Sequence, residues 1–258
     1  MSRNAFLAAH ETLRNTNLHI DRFQAGCAAF FSNPKHTRVR DVESEAGKTL
    51  FKVRFAETVP YSLNSAALDA VTNARDVLDN AVYASIVASG VTIRGLRKIK
   101  FPFGSDADEV ANQIKAMGVD LNPAIADILI GLRPESRSKN FLWTINFLAN
   151  SKKHRWNLVP FPIRPQGLSL HINEMTGTEG VLDLVLEWDA TKNEITYIRI
   201  SGDLEGALDT TIRCDLAFDG PETVQNRSAL LMLRSIRNTA GNILVDIETE
   251  CRRLGWVD

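Results

Sequence analysis

The spacing of apolar residues divides the chain into a mainly helical first part, a run of short strands, and a final helix. From Asn4 to Phe31, the residues Phe6, Leu13, Leu18, Ile20, Phe23, Cys27 and Phe30 recur at helical spacing. Asn15-Thr16-Asn17 predicts a break or kink in that helix, and Asn33-Pro34 its end. Thr37–Glu43 and Thr49–Glu57 read as strands joined by the turn Glu45-Ala46-Gly47-Lys48, which makes a β-hairpin over residues 37–57. Pro60 with Ser62 or Ser65 opens a long helix that Gly90 closes. Ser105, Asp106 and Asp108 start a short helix that runs to Gly118. Asn122-Pro123 starts another, which ends before Pro134.

Between Lys139 and Arg155 the residues Phe141, Leu142, Trp143, Ile145, Phe147, Leu148 and Ala149 leave almost no polar face, so this helix is expected to be buried. Its polar residues Asn146, Asn150, Lys153 and His154 form one stripe. Buried polar groups need partners. The long helix before it carries an apolar stripe of Leu68, Val71, Leu78, Val82 and Ile86, and Arg75 falls on that stripe. Asp79, one turn on, is its nearest candidate partner. These two helices are expected to pack together, with Arg75 bonded to Asp79, Asn146 or Asn150. Ala67, Ala74, Ala81 and Ser85 make a third, small-residue side where another helix can approach closely.

After Trp156 the period changes to two. Leu158–Ile163, Leu168–Ile172, Val181–Trp188, Glu194–Ile200 and Thr211–Phe218 read as consecutive strands, which implies an antiparallel sheet. Pro221 and Glu222 then open a helix of about 30 residues. Its stripe of Leu230, Leu233, Arg237, Ala240, Leu244, Ile247, Cys251 and Leu254 has near-heptad spacing. Such a stripe fits a homodimer contact as well as a helix crossing the back of the sheet. The expected fold is α+β: a helical layer, with long N- and C-terminal helices, on an antiparallel sheet. The chain is read as one domain, with 1–155 mainly helical, 156–220 strands and 221–258 the last helix.

Composition narrows the function by exclusion. A formal net charge of -1 argues against a surface dominated by phosphate binding, although Lys152, Lys153, His154 and Arg155 would make a local basic pocket. Cys27, Cys214 and Cys251 lie far apart, without Cys/His ligand spacing, so neither a zinc site nor a disulfide framework is expected. The N-terminus lacks the run of a signal peptide, and no apolar stretch reaches membrane-helix length. A cytoplasmic protein without membrane contact is expected. Neither GxGxxG, GxxxxGK[ST] nor GxSxG occurs, and no cofactor is expected. His10, His19, His36 and His171 read as scattered surface or strand residues.

Three runs carry a family resemblance. They are Ala70-Val71-Thr72-Asn73-Ala74-Arg75-Asp76-Val77-Leu78-Asp79-Asn80, Phe101-Pro102-Phe103, and Asn150-Ser151-Lys152-Lys153-His154-Arg155. Together they resemble the LHNLRSALDH-like helix, the FPI segment and the later DKHR-like motif of a broad bacterial group. The R-x-x-x-x-H spacing of that group is similar to the mark of HEPN domains, many of which are metal-independent, dimeric ribonucleases of toxin and phage-defence systems. The resemblance implies an RNA-binding or RNA-cleaving protein, with Arg75 as a phosphate or transition-state contact. The position of the family's histidine is Asn80 here, which cannot titrate. His154 is then the candidate proton-transfer group, with Lys153 and Arg155 for phosphate charge and Asn80 and Asn150 for orientation. A non-enzymatic binding or assembly module, with the same polar residues as a structural network, is the other reading that the residues allow.

Overall fold

The computed structural model describes residues 5–33, 35–43, 47–91, 99–135, 141–154, 163–202, 205–218 and 227–258. The elements in chain order are α1 (Leu7–Phe31), β1 (Thr37–Glu43), β2 (Lys48–Arg54), α2 (Tyr61–Ala88), α3 (Ala107–Ala116), α4 (Pro123–Gly131) and α5 (Phe141–His154). They continue with β3 (Ile163–Thr176), β4 (Gly180–Asp189), β5 (Glu194–Gly202), β6 (Glu205–Leu216) and α6 (Ala229–Arg253). The fold is α+β, with helices and an antiparallel sheet sharing one hydrophobic core.

Helix starts follow the local chemistry. Asp106 caps α3 by accepting from the Glu109 N–H, and Asn122 caps α4, with Pro123 at its first position. Ser228 caps α6 by accepting from the Leu231 N–H. The described part of the last helix is thus shorter than the expected 30 residues, and Pro221 and Glu222 lie outside the described residues. The expected break at Asn15–Asn17 does not occur, and α1 runs as one helix for 25 residues. Of the polar side chains here, Asn17 finds its partner on another helix, while Thr16 bonds back to its own. Asn17 Oδ1 accepts from Arg237 Nε of α6 (2.9 Å), and the buried Thr16 hydroxyl returns to the Thr12 carbonyl (3.0 Å), which a helix tolerates.

The sheet is built differently from the expected one. The hairpin β1–β2 joins β5 and β4 in the order β1-β2-β5-β4, while β3 pairs with β6 in a separate two-stranded ribbon. The cause lies in β2 and β5, which bury consecutive residues on both faces: Leu50, Phe51, Lys52 and Val53 on one, Ile195, Tyr197, Ile198 and Ile200 on the other. Strands covered on both faces belong in a sheet's interior. Lys52 is buried among them because it reaches Asp41 (2.6 Å) and Glu194 (3.8 Å), and Glu194 in turn holds Arg54 (2.5 Å). The hairpin's exit is fixed by Asn193, which adopts φ 55° and donates to the carbonyls of Phe55 (2.8 Å) and Glu57 (2.7 Å). Phe30, Phe31, His36, Phe55 and Trp188 form an aromatic junction between α1 and the sheet. The expected strand Leu158–Ile163 is described only at Ile163.

The stripe on α6 is consumed inside the chain. Leu233, Ala240, Leu244, Ile247 and Cys251 are fully buried, and α6 packs along α2 and α1. Neither the sheet nor a second copy covers that face. Arg237 on the same stripe is explained by its bond to Asn17.

Candidate functional site

Helix α2 is the axis of the helical layer, and its periodicity gives it three faces. One meets α1: Asn80 Nδ2 donates to the Thr12 hydroxyl (3.1 Å), His19 lies 3.9 Å from Asp69, and Gly26 sits on Leu63. The second is the small-residue side, where Ala67, Ala74 and Ala81 have no exposure; α2 packs against both α1 and α6. The third carries Asn64, Leu68, Val71, Arg75 and Asp79, and faces α5 and the segment Phe101–Phe103.

On that third face Arg75 Nη1 donates to Asn150 Oδ1 (2.8 Å), and Asn150 Nδ2 donates to Asn146 Oδ1 (3.1 Å). The expected packing of the two helices is therefore present, and the partner of Arg75 is Asn150. Asp79 turns away to accept the Phe101 N–H (2.8 Å). The Arg75 guanidinium stands 5.6 Å above the Phe103 ring centre, a cation–π distance. Gln113 of α3 fixes that ring from behind by donating to the Phe103 carbonyl (2.5 Å). Arg75 makes no ion pair with a carboxylate among the described residues, and its Nε is buried without an acceptor.

The expected site residues thus separate. Arg75, Asn150 and Asn146 come together, with Asp79 beside them. Asn80 lies on the α1 side of the same helix, engaged by Thr12. Lys153 and His154 end α5, where only the backbone is described, and Arg155 lies outside the described residues. Phe103 was not singled out by sequence reasoning as part of the site. Only its place in the Phe101-Pro102-Phe103 run could have suggested it.

Burial raises the Asp79 carboxyl above its ordinary range, against the opposing pull of the Phe101 N–H and the Arg75 charge. An acid whose folded pKa is raised contributes stability at low pH and loses it as pH rises through the folded value. Asp79→Asn, which keeps an acceptor for Phe101, is therefore expected to gain stability relative to the natural chain as pH rises above the ordinary carboxylate range. Denaturant midpoints of both proteins between pH 3 and 8 check this; a constant difference would mean that Asp79 is as well solvated folded as unfolded.

A second concavity, of about 480 Å³, opens between α1 and the start of α2, lined by His19, Arg22, Tyr61, Ser65 and Asp69 above Gly26 and Leu63. His19 and Asp69 were not linked by any spacing in the sequence, since their helices meet only in the fold. The cysteines offer no ready nucleophile. Burial pushes the Cys27 and Cys214 thiols up to about 12 and the Cys251 thiol to about 11. No group of three or more potential metal ligands occurs among the described residues. Comparison with family models, curated proteins and solved structures returns no match.

Proposed function

We propose that this chain is a HEPN-like RNA-binding protein of a bacterial defence or toxin system, with Arg75 as its phosphate contact. One observation carries the reading: Arg75 is a partly buried guanidinium whose described hydrogen bond goes to the Asn150 amide, while Asp79, the carboxyl that its charge reaches, accepts the Phe101 N–H instead. Removing a charge from water is costly until an opposite charge arrives, and arginine's fork matches phosphate oxygens. In an RNA-cleaving form of this reading, His154 moves the proton, Lys153 and Arg155 add phosphate charge, and the reaction proceeds in EDTA. The free thiols and the lack of any described helix able to cross a membrane agree with a cytoplasmic protein. A homodimer through α6 would have to use outward residues such as Leu231 and Val245, because the inward stripe is occupied.

The alternative is a non-enzymatic binding or assembly module in which the cluster only locks helices. The engagement of Asn80 by Thr12 favours it, since an orienting amide would have to leave α1. Total RNA incubated in EDTA with the natural chain and with His154→Ala separates the readings. Cleavage lost in the variant supports the enzyme, and binding without cleavage supports the RNA-binding protein. Cleavage equal in both assigns the chemistry elsewhere. Neither binding nor cleavage leaves the module.

A further inference from the structure

Antiparallel packing sets α1 against the start of α2. His19 of α1 stands 3.9 Å from Asp69, and two turns further along α1 Gly26 meets Leu63. Glycine is what makes that second contact close, since a Cβ on Gly26 would fall 2.4 Å from Leu63 Cδ2. Two hollows meet there and share Gly26, Ser62 and Leu63 as walls. The first, of about 480 Å³, extends back to the His19–Asp69 pair. The second, of about 500 Å³, extends past Ala29 and Phe30 to Asn33 and Glu57. Both volumes fall in the range of roughly 300–1,000 Å³ that small-molecule sites occupy.

The chemistry of the first hollow is uneven. Leu63 and Ala66 are buried and give it an apolar floor, while the exposed Tyr61 stands at its mouth. Asp69 is taken up by His19, one carboxylate against one imidazole. Arg22, one turn from His19, brings a guanidinium to the same wall and makes no ion pair among the described residues. Ser62 and Ser65 place hydroxyls on the facing helix. A guanidinium with hydroxyls opposite it suits the oxygens of a phosphate or carboxylate, and apolar walls beside it suit the body that carries them. We infer that this hollow takes a small organic anion, with its phosphate or carboxylate head on Arg22 and its apolar body along Leu63 and Ala66 toward the second hollow. The site lies on a different face of α2 from Arg75, and it neither requires nor excludes RNA binding there.

Calorimetric titration of the full-length protein with four probes tests the assignment: 1-naphthyl phosphate, 1-naphthoate, inorganic phosphate and 1-naphthol. At least one naphthyl anion is expected to bind about 10-fold or more tightly than phosphate and naphthol, which carry the head or the body alone. The better of the two naphthyl anions identifies the head. Arg22→Gln is expected to weaken that anion about 10-fold, as loss of a charge-assisted hydrogen bond does, and to leave naphthol unchanged. Ser62→Trp, which puts an indole into the wall that the hollows share, is expected to abolish binding of the anion. Both positions are exposed, so both variants are expected to fold, and melting temperatures check this. If Ser62→Trp melts early, the four probes and Arg22→Gln still decide. Naphthyl anions that bind no better than phosphate or naphthol overturn the inference, and so does undiminished binding by Arg22→Gln. Full binding by a folded Ser62→Trp also overturns it, because the anion would then sit on the open surface of α1.

Discussion

Ala74→Leu is expected to be among the most damaging single changes on the helical layer, costing about 3 kcal/mol. Ala74 has no exposure and lies midway along the small face of α2, between Ala67 and Ala81. The seven-residue spacing keeps the three alanines on one side of the helix, and their lack of bulk leaves room for a neighbouring helix to pack closely on α2, which α1 and α6 both do. A leucine there has no free space and must displace a packed neighbour in the sealed core around α2. For a chain of this size each kcal/mol is worth about 2–4 °C, so a loss of roughly 10 °C is expected by calorimetry. Tyr83→Leu, on the exposed side of α2, should stay within about 0.5 kcal/mol of the natural chain. If both variants melted alike, the alanine side of α2 could not be tightly packed.

Gly202→Ala is expected to cost about as much, through the backbone instead of the core. Gly202 adopts φ +89°, which side chains rarely tolerate, and an added Cβ would fall 2.4 Å from the Glu179 carbonyl oxygen and 2.7 Å from Gly180 Cα. Both obstacles are backbone, held in place because Gly180 and Gly202 pair directly in the β4–β5 ladder. Strain and overlap together should reach about 3 kcal/mol. Gly131→Ala is the control: it has open space and lies at the end of α4, so it should be neutral or slightly stabilising. Equal denaturant midpoints for the two variants would mean that the β4–β5 end relaxes freely.

The site was partly legible. Arg75 announced itself by interrupting an apolar stripe, and Asn146 and Asn150 by interrupting another, and the two interruptions meet at 2.8 Å. A buried donor must find an acceptor, so two unexplained polar residues on neighbouring helices are each other's natural solution. The choice of Asn150 over Asp79 was not legible. Asp79 is nearer in sequence, but the Phe101 N–H claims its carboxylate, and that loop could not be placed from spacing. The incomplete burial of Trp143 and Phe147 was hidden for a similar reason: an apolar count on a 14-residue helix does not tell which side its neighbours cover.

The sequence by itself determined the hairpin, the helix starts near Ser105-Asp106 and at Asn122, the alanine side of α2, and the α+β class, because periodicity and capping act within a few residues. Tertiary structure decided the rest. It placed the hairpin against β5, with β2 and β5 both burying residues on their two faces, and it carried α1 unbroken past Asn17 with a partner for that side chain on α6. It turned the heptad-like stripe of α6 inward onto α2 and α1 and brought Phe103 beneath Arg75. Each of these depends on contacts between residues distant in the chain, where burial and hydrogen-bond satisfaction outweigh any local preference.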